Sequence, residues 1–242
     1  MLILARILQA LGDFAGARRL YERVLATNEK VRGPEHFDTA SSLNSLASLL
    51  RAQGDLTAAR PLVERALEIF EKTLGEHPYT ATSLNNLADL LLDQGDHEGA
   101  QALFERALVI REKTLGAEDI HTALSLVNLA GLLENQVDLE GALRLYERAL
   151  AIHEKLLGPE HPNTNRSRCN LARLLITSGH AKEALSPAET ALRAHEKVLG
   201  PNHRWTKDTA CVTAEALDAL GRADQAAALR VRYGVARDRE DQ

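Results

Sequence analysis

The sequence predicts an all-α protein, a right-handed superhelical solenoid built from antiparallel pairs of helices. The main observation is a repeat of about 42 residues, marked by one threonine that recurs with steps of 41, 42, 42 and 42 residues. These threonines are Thr39, Thr80, Thr122, Thr164 and Thr206. An alanine follows eight residues after each of them: Ala47, Ala88, Ala130, Ala172 and Ala214. Periods of 20–50 residues are typical of stacked repeats that share one continuous core.

Each repeat is predicted to contain two helices joined by a tight turn. In the second repeat, apolar residues from Leu43 to Leu50 recur at spacings of three and four, which indicates one face of a helix. Gly54 suits the end of this helix, and Asp55 suits the N-cap of the next one. A longer apolar stripe from Ala59 to Leu74 then predicts the second helix. Small alanines allow neighbouring helices to approach closely.

The landmarks divide the chain, as a single domain, into six repeats, of which the first and the last are partial. The predicted repeats are 1–33, 34–75, 76–116, 117–158, 159–200 and 201–234, with residues 235–242 as a charged, frayed tail. Val137 replaces the glycine of the turn in the fourth repeat, and we expect it to adopt a negative φ. The terminal repeats have no dedicated polar caps, which predicts end-to-end self-association.

Composition excludes several classes of function. The 242 residues carry a net charge of -5 and only 4% aromatic residues, which argues against a nucleic-acid partner. The N-terminal apolar run lacks the features of a signal peptide, and no apolar run is long enough to span a membrane. Cys169 and Cys211 lie one repeat apart, too far for a disulfide, so we expect free thiols and a cytoplasmic protein.

Several short motifs resemble a known family. One repeat from Leu84 to Gly116 reads LNNLADLLLDQGDHEGAQALFERALVIREKTLG, and its neighbours share the Asn-Leu-Ala, Glu-Arg-Ala-Leu and Glu-Lys-x-Leu-Gly elements. These elements resemble tetratricopeptide repeats, and the 42-residue period resembles the kinesin light chain type. The resemblance implies a non-enzymatic scaffold that binds other proteins. Similar arrays also occur as sensor portions of large bacterial signalling ATPases.

The candidate site is the face of each first helix that points away from its partner helix and lines a concave groove. Asn86, Asn128 and Asn170 form a ladder whose carboxamides can both donate to and accept from an extended peptide. In peptide-clamping members of the family, asparagines at the matching position have this role. The full predicted set is Asn44, Asn85, Asn86, Asp89, Leu124, Val127, Asn128, Arg166, Asn170 and Arg173.

The predicted ligand is an extended segment with an apolar side chain in the fourth repeat and an acidic group in the fifth. Leu124, Val127 and Gly131 are expected to form a shallow apolar pocket. Arg166 and Arg173 lie two turns apart, where they can bind a carboxylate. Alternatively, the asparagines are solvated remnants of the repeat, and the arginines pair with Asp208 or Glu215. The array is then a rigid spacer, an oligomerisation element or the sensor segment of a larger signalling protein.

We predict no enzyme, cofactor or metal site. The sequence has no phosphate-binding loop, no paired carboxylates in a cleft and no nucleophile elbow. Loop histidines recur one repeat apart, so a role at helix ends is favoured over zinc binding. These histidines are His36, His77, His161 and His203. Cys169 lies near Arg166 and Arg173, which would lower the pKa of its thiol.

Overall fold

The computed structural model describes residues 1–236, and twelve α-helices without a strand make up this part of the chain. The helices are α1 (Leu2–Ala10), α2 (Phe14–Arg32), α3 (Phe37–Ala52), α4 (Leu56–Leu74), α5 (Pro78–Asp93), α6 (His97–Leu115), α7 (Ile120–Asn135), α8 (Leu139–Leu157), α9 (Pro162–Thr177), α10 (Ala181–Leu199), α11 (Arg204–Ala219) and α12 (Ala223–Tyr233). The all-α class is therefore confirmed. Most of the predicted tail lies outside the described residues.

The chain divides into two compact units. Unit 1 is Met1–Ala117 and contains α1–α6, and unit 2 begins at Glu118 and contains α7–α12. Within each unit, every helix packs on the helix that follows it. In addition, the odd-numbered helices of successive repeats touch each other, α3 against α5 in unit 1 and α9 against α11 in unit 2. The odd-numbered helices therefore form one layer of each unit.

The recurring alanines are buried where neighbouring helices pack. Ala47 and Ala88 are buried in odd-numbered helices of unit 1, and Ala130, Ala172 and Ala214 are their equivalents in unit 2. Bulkier residues fill the spaces between these contacts. Phe70 and Phe104 are among the largest fully buried side chains, and each is the buried aromatic residue of its repeat. Neither helix of a pair can bury its apolar stripe alone, so stacking supplies most of the stability.

The turn within each helix pair contains one residue with a left-handed backbone. Glycine occupies it in five repeats, with φ of 80° at Gly54 and 84° at Gly95. The prediction for Val137 was wrong, because its φ is 66°. The Val137 N–H donates to Glu134 O at 3.0 Å, as Gly95 N–H donates to Leu92 O at 2.9 Å. The turn geometry that closes the helix therefore imposes the left-handed conformation whichever residue is present.

Two kinds of cap begin the helices. Aspartates cap α2, α4, α6 and α8, each accepting the backbone N–H three residues later. Loop histidines cap α3, α5, α9 and α11, where the ring Nδ1 accepts the backbone N–H two residues later. The predicted role of these histidines at helix ends is confirmed. No helix of the described chain is both long and apolar enough to cross a membrane.

Candidate binding cleft in unit 2

A cleft of about 480 Å³ opens in unit 2 among the N-terminal halves of α7, α9 and α11. This volume lies within the range of known ligand pockets. Its lining residues are Ile120, His121, Leu124, Val127, Asn128, His153, Asn163, Arg166, Ser167, Asn170 and Trp205. Five of the ten predicted site residues are among them. They are Leu124, Val127, Asn128, Arg166 and Asn170.

One wall of the cleft is apolar and belongs to α7. Leu124 is 48% exposed, and Val127 is half-buried beside it. Ile120, in the first turn of the same helix, extends this wall. The wall therefore offers a contact surface for an apolar side chain.

Two asparagines line the cleft one repeat apart. Asn128 lies on α7 and Asn170 on α9, and both side chains are half-buried. Neither carboxamide forms a hydrogen bond with any residue that the structure describes. Their donors and acceptors are therefore available to a ligand.

The opposite end of the cleft combines a cation with an aromatic ring. The guanidinium carbon of Arg166 lies 5.0 Å from the centroid of the Trp205 ring, a cation–π arrangement. Arg166 is exposed, and no carboxylate pairs with it within residues 1–236. The sequence reasoning missed Trp205. Its position in the repeat could have indicated it: Trp205 directly precedes the landmark Thr206, just as Asn163 directly precedes the landmark Thr164.

Two histidines lie at the base of this site. His153 lines the cleft, and its Nδ1 lies 2.8 Å from Ser167 Oγ. His195 is buried behind Trp205, with their ring centroids 6.1 Å apart. Burial lowers the pKa of both imidazoles, because the interior disfavours the charged form.

Two predicted groove residues are buried between helices instead. Asn44 is 8% exposed, and its Nδ2 donates to Ser83 Oγ at 2.6 Å, which links α3 to α5. Asn85 is 5% exposed at the equivalent position of α5. The predicted exposure of these two residues was therefore wrong. A helix rotates by 100° per residue, so Asn86 faces a different direction from Asn85. Asn86 is half-exposed, whereas Asn85 is buried.

Asn86, at the equivalent position of unit 1, lies beside a much smaller opening. Asn86 lines a crevice of only about 10 Å³ together with Ser48 and Arg51. Arg51 Nη1 donates to Asp89 Oδ2 at 2.8 Å, and Arg51 Nε donates to Asp93 Oδ2 at 2.6 Å. Burial raises the pKa of Asp89, and the Arg51 guanidinium opposes that rise. Two predicted site residues, Asn86 and Asp89, thus lie next to the ion-paired Arg51.

Arg173 does not join Arg166 in the cleft. Its Nη2 donates to Asp208 Oδ1 at 2.7 Å, so the alternative of a pairing with Asp208 is the one that the structure contains. The predicted lowering of the Cys169 pKa was wrong. Burial, together with the Asp208 carboxylate, raises the pKa of this thiol to about 11. Cys169 therefore stays protonated at neutral pH.

Comparisons with known proteins agree with this architecture. The family model described as Tetratricopeptide repeat matches residues 1–72, 38–113 and 119–197. The nearly identical TPR-like repeats of a kinesin light chain candidate from Podosopora anserina share 28% identity and a TM-score of 0.71, covering 82% of this chain and 95% of theirs. No curated protein matches.

Two more distant structures share the fold. BtubC (BKLC) from P. vanneervenii has 21% identity and a TM-score of 0.76, and the alignment covers 91% of this chain and 88% of that one. A Rap protein complexed with Competence and Sporulation Factor has 16% identity and a TM-score of 0.69, with 96% of this chain and 72% of that one covered. The family model alone covers most of the sequence, and the chain therefore belongs to the tetratricopeptide repeat family.

Proposed function

We propose that the protein is an interaction scaffold whose unit 2 binds an extended segment of a partner protein in the cleft. The observation that carries this proposal is the pair of unbonded carboxamides, Asn128 and Asn170, in a cleft that also has an apolar wall and an arginine without a carboxylate partner. The two asparagines bind the ligand backbone, whereas Leu124 contacts an apolar side chain and Arg166 contacts an acidic one.

The chemistry of each part favours this type of ligand. A carboxamide satisfies both the N–H and the C=O of an extended chain, whatever its side chains are. Burying one apolar side chain against Leu124 and Val127 contributes roughly 1.5–3 kcal/mol. A carboxylate forms a charge-assisted hydrogen bond with Arg166, about twice as strong as a neutral one. The contact area is small, so we expect an affinity of the order of 1 μM.

A peptide selection tests the proposal. Random peptides are displayed against the purified protein, and enriched peptides are synthesised and titrated by calorimetry. We expect enrichment of sequences that combine apolar and acidic residues. The variant Asn128→Ala with Asn170→Ala removes the two hydrogen bonds that each carboxamide makes to the ligand backbone. These four bonds are worth about 0.5–1.5 kcal/mol each, so binding should weaken at least about thirtyfold.

A matched control is available in unit 1. Asn86→Ala removes the asparagine at the same repeat position but outside the cleft. It should leave the affinity unchanged. Peptides that bind the double variant as tightly as the parent protein would place the ligand elsewhere, and an absence of enriched peptides from folded, monomeric protein would contradict a peptide-binding role.

A second candidate function is architectural, and the outer face of α1 favours it. Ile3 on α1 and Leu11, which directly follows it, are each 77% exposed, and Leu2, Leu4 and Ile7 are also exposed. Exposed apolar patches of this kind mark interaction surfaces. In this alternative the array associates through this patch, and the cleft stays empty.

A further inference from the structure

The two histidines behind the cleft occupy equivalent positions, 42 residues apart, on α8 and α10. His153 is 7% exposed and His195 is 1% exposed. In each case the ring Nδ1 meets a hydroxyl 14 residues later on the next helix, Ser167 Oγ at 2.8 Å and Thr209 Oγ1 at 2.9 Å. The imidazoles therefore connect the second helix of one repeat to the first helix of the next. His153 lines the cleft, and His195 lies against Trp205, which also lines it.

The contacts of His195 accommodate both protonation states. Its Nε2 lies 3.0 Å from Pro162 O, and because a carbonyl only accepts, Nε2 carries a hydrogen. In the neutral ring, Nδ1 then accepts from the Thr209 hydroxyl. In the charged ring, Nδ1 donates to Thr209 Oγ1, and this hydroxyl turns to Trp205 O, 2.8 Å away. A second proton therefore enters without the loss of a hydrogen bond.

The charges around the histidines set their balance. For His195, burial has the largest effect and favours the neutral ring. His203 of the loop before α11 and Arg166 of α9 also disfavour a positive charge there, whereas Asp208 of α11 favours it. For His153, burial and the neighbouring His161 both favour the neutral ring. Arg166 thus lines the cleft and also disfavours a positive charge on the His195 ring.

We propose that an anionic group bound in the cleft promotes protonation of His195, so that the protein binds acidic segments more tightly as the pH falls from 7.5 to 5.5. An anion beside Arg166 offsets the positive potential that opposes the second proton on the ring. Because linkage is reciprocal, protonation of the ring must then strengthen binding of the anion. This inference rests on the proposed function, since it requires an anionic ligand group at Arg166.

The first test uses the tightest acidic peptide from the selection, synthesised without histidine and with blocked termini. Its carboxylates, with pKa values near 4, stay ionised across the pH range. Calorimetry should show binding at least about fivefold tighter at pH 5.5 than at pH 7.5, with proton uptake seen as a heat that depends on the buffer. His195→Gln should abolish both effects while leaving binding at pH 7.5 intact, because the His195 side chain does not line the cleft.

Equal affinities at the two pH values, or a gain that persists in His195→Gln, would overturn the inference while leaving the proposed function in place. A peptide in which glutamine replaces glutamate and asparagine replaces aspartate is the matched ligand control. It should bind without a pH-dependent gain. Failure to select any peptide at either pH would instead count against the proposed function.

The second test needs no peptide and no change in the core. Arg166→Gln removes the exposed cation, and NMR titration of the imidazole resonances follows His195 directly. We expect the His195 pKa to rise in this variant, as it would when an anion binds. Arg144→Gln, on the exposed start of α8, is the control and should leave it unchanged. An unaltered His195 titration in Arg166→Gln would refute the coupling.

Discussion

Val137 provides the sharpest test of how the repeat turns work. It has a φ of 66°, in the left-handed region that the other five turns of this type fill with glycine. It is also 77% exposed, so its side chain contributes little burial. Replacing it with glycine removes the conformational cost without removing a contact. We predict that Val137→Gly stabilises unit 2.

The magnitude follows from two opposing terms. The left-handed conformation costs an L-residue roughly 1–2 kcal/mol, and a β-branched residue lies at the upper end. Glycine lowers the free energy of unfolding by about 0.5–1 kcal/mol, because it gives the unfolded chain more conformational freedom. The net gain should be about 1 kcal/mol, which corresponds to a rise in the melting temperature of about 2–4 °C for a chain of this length.

Differential scanning calorimetry measures the change, and hydrogen exchange of the α7 and α8 amides shows whether it is local. Gly95→Val is the reverse control, because a side chain there meets no atom within 4 Å, and only the φ of 84° opposes it. That variant should lose stability by at least about as much as Val137→Gly gains. A Val137→Gly protein that melts at or below the parent temperature would refute the argument from backbone conformation.

Two further predictions concern pH and self-association. Burial lowers the folded-state pKa of His153 and His195, so the unfolded chain binds more protons than the folded chain. The contribution of the two neutral rings to the free energy of unfolding is therefore fully present above about pH 6.5. It falls as the pH drops from that value towards the folded-state pKa. Urea midpoints at pH 7.5 and 5 measure this loss, and His153→Gln with His195→Gln should reduce it. Sedimentation velocity should show concentration-dependent association that Ile3→Glu with Ile7→Glu suppresses and that Val109→Glu, an exposed apolar position on α6, does not. Parent protein that stays monomeric at high concentration would contradict the self-association.

The helices and turns were predictable because their signals are local. Alanine stands where two helices approach closely, and glycine stands where the turn needs a left-handed backbone, so both can be recognised without coordinates. Asp55 and its equivalents cap helices through a contact that spans three residues. Val137 shows the limit of this reasoning, since the turn imposed its geometry on a residue that disfavours it.

The candidate site was predictable only in part, because it depends on contacts between repeats. A rotation of 100° per residue decides whether an asparagine faces the open surface or a neighbouring helix. Asn44 and Asn85 face a neighbouring helix and are buried. The ion pair of Arg173 with Asp208 joins α9 to α11 and has no signature within one repeat. Trp205 was missed because its importance comes from Arg166, which stands 39 residues earlier in the chain.

The repeat itself explains where binding residues should be sought in such a chain. Positions that hold helices together must keep their residue type, as Ala130, Ala172 and Ala214 do, because a larger side chain would separate the helices. Positions on the open face have no such constraint. Two residues after the landmark threonine, Leu124 in α7 gives way to Arg166 in α9, which turns an apolar wall into a cationic one along the same cleft. Under the proposed function, a ligand that lies across α7 and α9 would meet a defined order of apolar and charged contacts, and this order, rather than the shared asparagines, would determine which sequence the cleft selects.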